Sequence, residues 1–182
     1  MEKLMKKAVI GVIVILAFYF IYRQIRFYYN TPIFIPFSAR LNAHDLVLVV
    51  GESYHLRPQG INKRVSYSST DFKIADVRFT GKVTAYRVGK AVINADVSGT
   101  KVQCMVTVID INKSKVTIGV GKHETLEIEG INKTPDWKSN NKNVVTIDND
   151  GEITGIGEGT TTISGEVAGK TLKCKVTVKK SY

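Results

Sequence analysis

The sequence predicts an all-β architecture, two tandem β-sandwich domains preceded by one N-terminal transmembrane helix. Three observations predict it: a segment that recurs at an offset of seventy residues, short alternating strands punctuated by Gly and Asn/Asp turns inside each copy, and a basic, strongly apolar opening stretch.

The repeat needs no gaps. Adding seventy to the residue number lays Val50-Gly51 on Val120-Gly121, Gly60-Ile61-Asn62-Lys63 on Gly130-Ile131-Asn132-Lys133, Gly81 on Gly151, Cys104 on Cys174 and Val106-Thr107-Val108 on Val176-Thr177-Val178. Eighteen of the sixty-three positions compared are identical, where average residue usage gives about four, at roughly 6% per position. A period this long, with a turn-rich β pattern inside it, describes two domains of one fold rather than a solenoid.

Ahead of the repeats, Lys3, Lys6 and Lys7 lead into an apolar run from Ala8 to Tyr22 that Arg23 and Arg26 close. The run is shorter than the ~20 residues that cross ~30 Å of hydrocarbon. Leu4 and Met5 extend it by a turn, the basic stems reach the headgroups, and Tyr22, Phe27, Tyr28 and Tyr29 suit an aromatic belt. A cleaved secretory signal shares the basic start, but Phe18-Tyr19-Phe20-Ile21-Tyr22 offers no small-residue cleavage site; a soluble or an amphipathic role is the other alternative. Residues 1–29 are therefore read as a signal anchor that meets membrane lipid through residues 4–26. Basic residues flank both ends, with a slight excess before the span. The expected topology is single-pass in the cell membrane, N-terminus cytoplasmic and C-terminal domains extracellular.

Residues 30–43 read as a juxtamembrane stalk, because Pro32 and Pro36 hold their neighbours extended; Ile33-Phe34-Ile35 is alternatively a strand on the first domain. The domains follow at 44–110 and 111–182. In the second, period-two alternation marks Leu126/Ile128, Val145/Ile147 and Leu172/Cys174/Val176/Val178, with turns at Gly121, Gly130, Asn140-Asn141, Asp150-Gly151, Gly159 and Gly169. About seven short strands per seventy residues make a two-sheet sandwich with Greek-key links. Trp137, with Tyr67 as its counterpart, is either an exposed platform for a sugar ring or the aromatic that fills the space between the sheets, and the second is the commoner use.

Trp137, Ser139, Asn141, Val144, Thr146, Ile147, Gly151, Ile153, Thr154, Gly159, Thr161, Ile163 and the closing Cys174-x-Val176-x-Val178 together resemble the bacterial immunoglobulin-like group 2 (Big2) domain family. The first copy is similar to it through Tyr67, Ser69, Ile74, Val77, Gly81, Thr84, Gly89 and Ile93. The resemblance implies immunoglobulin-like sandwiches and an extracytoplasmic module, used as spacer or adhesive unit in bacterial surface proteins. It brings no catalytic or ligand-binding residues with it.

The chemistry-bearing residues support no catalytic assignment. His44, His55 and His123 are scattered, and neither an H-x-x-x-H nor a C-x-x-C spacing occurs. Asp148, Asp150 and Glu152 around D-N-D-G offer oxygens to Ca²⁺, but an EF-hand loop needs further carboxylates and a glutamate at its twelfth position, and the first copy has Arg78-Phe79-Thr80-Gly81 there, so a hairpin turn is preferred. Cys104 and Cys174 occupy the same inward site in two domains and are expected as buried free thiols. The net charge of +10 divides as +4 over residues 1–30, +4 over 31–110 and +2 over 111–182, a spread without a basic helix or an aromatic-basic strand motif for nucleic acid.

The expected role is that of a membrane-anchored bacterial cell-surface protein acting in adhesion or protein–protein binding. Its partner is an unidentified protein or cell-wall component, with no nucleic acid, no cofactor, no metal and no enzymatic activity. The alternative is a structural spacer or an accessory subunit of an envelope assembly.

Overall fold

In a computed structural model the described residues are 14–21, 39–59, 65–97 and 99–180. Residues 14–21 are helical, and every regular element described from Ala39 onward is a strand. Among the described residues no helix is long and apolar enough to cross a membrane. The rest of the anchor expected over 1–29, and residues 30–38 of the expected stalk, lie outside the described residues.

Ala39–Tyr182 is one compact unit holding two sandwiches. The first contains β1 (Arg40–Leu41), β2 (Asp45–Val49), β3 (Ser53–His55), β4 (Pro58–Gln59), β5 (Val65–Ser69), β6 (Ala75–Val77), β7 (Lys82–Ala85), β8 (Gly89–Val97) and β9 (Thr100–Ile111). The second contains β10 (Lys115–Gly119), β11 (His123–Thr125), β12 (Ile128–Glu129), β13 (Asp136–Ser139), β14 (Val145–Ile147), β15 (Glu152–Gly155), β16 (Gly159–Val167) and β17 (Lys170–Lys179). In the first, a β2-β9-β8-β5 sheet faces β3-β7-β6; in the second, β10-β17-β16-β13 faces β11-β15-β14. Only β2 with β9 and β10 with β17 run parallel. These are the C-F-G and B-E-D strand orders of an immunoglobulin sandwich, with the first strand moved across to lie beside the last. The topology of both domains is therefore immunoglobulin-like.

Alternation builds each core. Cys104, Val106 and Val108 point inward from β9, and Cys174, Val176 and Val178 do so from β17, all nearly or fully buried against Ile93 and Val83 in one domain and Ile163 and Ile153 in the other. The residues between them face solvent, as the two-residue period of a half-buried strand requires.

No linker separates the domains. β9 closes the first sandwich on β8 and then continues, so that Asp110 and Ile111 pair with Glu129 and Ile128 of the second. The expected boundary between Asp110 and Ile111 thus falls inside a strand. Asn112 fixes the exit: its N–H donates to the Glu127 carbonyl (2.9 Å), its Oδ1 accepts the Glu127 N–H (3.0 Å) and its Nδ2 donates to the Thr125 carbonyl (3.3 Å). Asn42 makes the same three bonds to Arg57 and His55. Before it, β1 pairs with β4, and Leu41 is 2% exposed in the first core. Residues 40–43, expected as stalk, are the start of the first sandwich.

The junction has a small core of its own. Ile109, Ile128, Val167 and Leu172 are buried together, with Val47, Val49, Ile111, Ile131 and Trp137 packed around them. Across it Lys170 Nζ lies 2.6 Å from Glu52 Oε2, which also accepts the Val49 N–H at 3.0 Å. The Lys170 hydrogen bond is the chief cause that holds the Glu52 carboxyl below its ordinary value. Its stabilising contribution is therefore present above the unfolded value of 4.5 and is lost as pH falls through the lower folded value. The pair is half exposed, so screening keeps the contribution under about 1 kcal/mol. Closer packing matters more. Gly130 sits at φ +89° where a Cβ would overlap the Val108 carbonyl oxygen and approach Val88 Cγ1 of the first sandwich.

Two substitutions test this backbone chemistry with opposite signs. Gly130→Ala is expected to destabilise the tandem by about 2 kcal/mol, from the left-handed backbone penalty and the overlap, with two unfolding transitions replacing one in chemical denaturation. Ala168 and Gly169 form the two-residue β16–β17 turn with φ of 50° and 72°, so Ala168→Gly is expected to stabilise the protein by about 0.5–1 kcal/mol, read as a higher denaturation midpoint.

Candidate functional site

A concavity lies at the junction end of the second sandwich. It is an open cavity of about 260 Å³, mostly polar in its exposed lining, bordered by Leu126, Ile128, Ile131 and Trp137 and by Glu127, Asn132, Lys133, Asn149 and Asp150. Its wall is the loop between β12 and β13, and its lip is the β14–β15 hairpin.

Trp137 is half-buried at the start of β13 and lies directly opposite Gly165 on β16. A Cβ at Gly165 would come within 2.5 Å of Trp137 Cζ3 and 3.0 Å of Ile128 Cδ1. The indole therefore lies over the backbone of the neighbouring strand, and it belongs to both the second core and the junction core. Only part of the ring is left to face the cavity. In the first sandwich Tyr67 takes this place and donates its hydroxyl to the Leu56 carbonyl at 3.1 Å, and its burial raises the phenol pKa. Both aromatics are structural members of their cores.

The carboxylates of D-N-D-G-E separate. Asp148 Oδ1 accepts the N–H groups of Asp150 (3.0 Å) and Glu152 (2.8 Å), which makes it the side chain that closes the hairpin. Asp150 lines the cavity, whereas Glu152 turns to His123, with Oε1 2.8 Å from Nδ1, and Thr154 Oγ1 lies 3.0 Å from the same nitrogen. Among the described residues no three His, Cys, Asp or Glu side chains are grouped to hold a metal ion. The equivalent pair in the first sandwich is Ser53 with Thr84, hydroxyl to hydroxyl at 3.2 Å.

At about 260 Å³ the cavity falls below the ~300–1,000 Å³ at which ligand pockets usually form. What the arrangement offers instead is surface. Phe72, Phe79 and Tyr86 stand exposed on loops of the first sandwich, where the second has Lys142, Asn149 and Ile156. Two features escaped the sequence reading. The seat at Gly165 has no signature beyond a glycine inside a strand pattern, while the Asn42–Asn112 pair does have one, an identity at the same offset of seventy just upstream of the residues compared.

No protein-family model matches the chain, and no curated protein sequence matches it. Among solved structures it is similar to the C-terminal 282-residue fragment of intimin, crystallised with the intimin-binding domain of the translocated intimin receptor: 19% identity over 79% of this chain and 64% of that one, TM-score 0.44. It is also similar to the S-layer protein SbsC (21% identity, 70% of this chain and 22% of that one, TM-score 0.34) and to human protocadherin-24 domains EC1-2 (12% identity, 80% of this chain and 98% of that one, TM-score 0.31). The chain spans less than two thirds of the intimin fragment and under a quarter of the S-layer protein.

Cys104 and Cys174 are free and buried. Burial, with the Asp45 charge adding to it, pushes the Cys104 thiol up to about 11, and burial raises Cys174 as well. Neither is a nucleophile near neutral pH. Iodoacetamide at pH 8 is accordingly expected to label neither cysteine in the native protein and both after denaturation, read by mass spectrometry.

Proposed function

We propose that the chain is a membrane-anchored bacterial cell-surface protein whose tandem immunoglobulin-like domains act in adhesion or in binding another macromolecule, not in catalysis. Residues 4–26 lie in the lipid, the N-terminus stays in the cytoplasm, and both sandwiches face outward. The linkerless junction is the observation that carries this reading. Two modules that need only be tethered are joined by flexible chain, whereas a strand shared by both and sealed with Ile109, Ile128, Val167 and Leu172 sets their orientation. A fixed orientation serves a protein that must present a surface. The first sandwich, nearer the anchor in chain order, acts as the spacer, and the second as the presented head. The Big2 likeness read from Trp137 to Val178 supports the same use.

The test is topological first. With a C-terminal epitope on the full chain, the tag is expected to pellet with membranes, to resist alkaline carbonate washing, and to be removed by protease added to intact cells. A tag digested only after lysis, or recovered in the culture medium, would overturn the reading. A soluble version for capturing partners begins at Ala39 rather than Asn42, since the later start removes Leu41 from the first core.

A further inference from the structure

The outer face of the second sandwich carries a strip of lysines that the first sandwich lacks. On β17 the outward positions are Thr171, Lys173, Lys175, Thr177 and Lys179. Lys115 on β10 stands directly opposite Lys175. None of Lys115, Lys173, Lys175 or Lys179 has a carboxylate within ion-pair distance among the described residues. The counterparts at the offset of seventy are Asp45, Gln103, Met105 and Ile109, without one cation. Most acidic residues of the second domain lie elsewhere: Glu124 and Glu152 belong to the opposite sheet, Asp148 and Asp150 to its hairpin, Glu127 and Glu129 to the junction end, and Asp136 faces Glu166 at the far corner of the lysine sheet, where Lys138 pairs with Asp136 at 2.7 Å; Glu158 alone stands near the strip, just before Gly159, which pairs with Val178.

Edge protection does not account for the strip. A lysine on an edge strand discourages sheet-to-sheet aggregation, and Lys115 fits that use. Lys173 and Lys175 do not, because β17 lies inside the sheet between β10 and β16. Solubility needs polar residues on this face but not residues of one sign, as Gln103 and Thr107 of β9 illustrate. Like charges directly opposite, as at Lys115 and Lys175, destabilise a sheet. Such a cost is offset when an anion lies across both. Alternate residues on a strand repeat at about 6.7 Å and neighbouring strands at about 4.8 Å, so the ammonium groups form a flat ladder suited to an extended chain of anionic groups. Thr117, Thr160, Thr162 and Thr177 flank it with hydroxyls.

We propose that this β10–β17 face of the second sandwich binds a linear polyanion that carries phosphate groups along its chain, through Lys115, Lys173, Lys175 and Lys179. It deepens the binding function proposed above and rests on that reading by naming the partner's chemistry. The test uses the full chain in non-ionic detergent with long-chain inorganic polyphosphate as the probe, titrated by fluorescence anisotropy. The triple variant K115D/K173Q/K175M, which installs the first sandwich's own residues, is expected to weaken binding more than tenfold and to lower the slope of log affinity against log salt by about 2. Removing as many lysines from the first sandwich, K73Q/K90Q/K101Q, is expected to change affinity less than threefold, and circular dichroism is expected to report folded protein for both. Equal losses in the two variants, no loss in the triple variant, or binding to phosphatidylglycerol vesicles in place of polyphosphate would overturn the proposal. If polyphosphate binding is absent while intact cells still expose the C-terminal epitope, the assignment of the partner fails and the surface location stands.

Discussion

The structure depends on one strand that belongs to two domains. A β-strand has its backbone dihedrals set along its length and its N–H and C=O groups committed to neighbours, so carrying β9 across the boundary removes the freedom a linker supplies. The rest of the junction follows from that constraint. Asn112 turns the chain out of the strand by pairing with Glu127 on both backbone and side chain, Gly130 lets the following loop press against the Val108 carbonyl, and Ile109 and Leu172 exclude water from between the domains. Each small sandwich buries only part of its unfolded surface alone, and the shared core adds to both.

The repeats differ where their environments differ. Val47, Val49 and Ile109 seal the junction, and their counterparts at the open end of the second sandwich are Thr117, Gly119 and Lys179. Glu52 reaches Lys170 across the junction, whereas its counterpart is Lys122. Two copies of one fold have diverged in step with what each end touches. The outer sheets show the same divergence. A net charge of only +2 over residues 111–182 conceals a domain whose unpaired β17 lysines and hairpin carboxylates lie on different sheets.

Much of the fold was legible. Six strands of one domain reappear at an offset of seventy with the same bounds in the other, from β2 and β10 to β8 and β16, and the alternation around Cys104 and Cys174 located the inward face of the last strand of each. Asp148 closes a hairpin, as D-N-D-G suggested. The boundaries were less legible. The run Ile109-Asp110-Ile111-Asn112 reads equally as linker or as strand, and only its partner on β12 distinguishes them. The role of Leu41 was hidden for the same reason, since two residues carry no period.

Sequence alone determined the number of domains, their sandwich character and their inward faces, because period and alternation are local properties of the chain. Tertiary structure decided that the two domains share a strand, that Trp137 rests on Gly165, and that Lys115 stands beside Lys175 although sixty residues separate them. These are pairings between distant segments, and hydrogen-bond register between strands, rather than any feature of one segment, sets them.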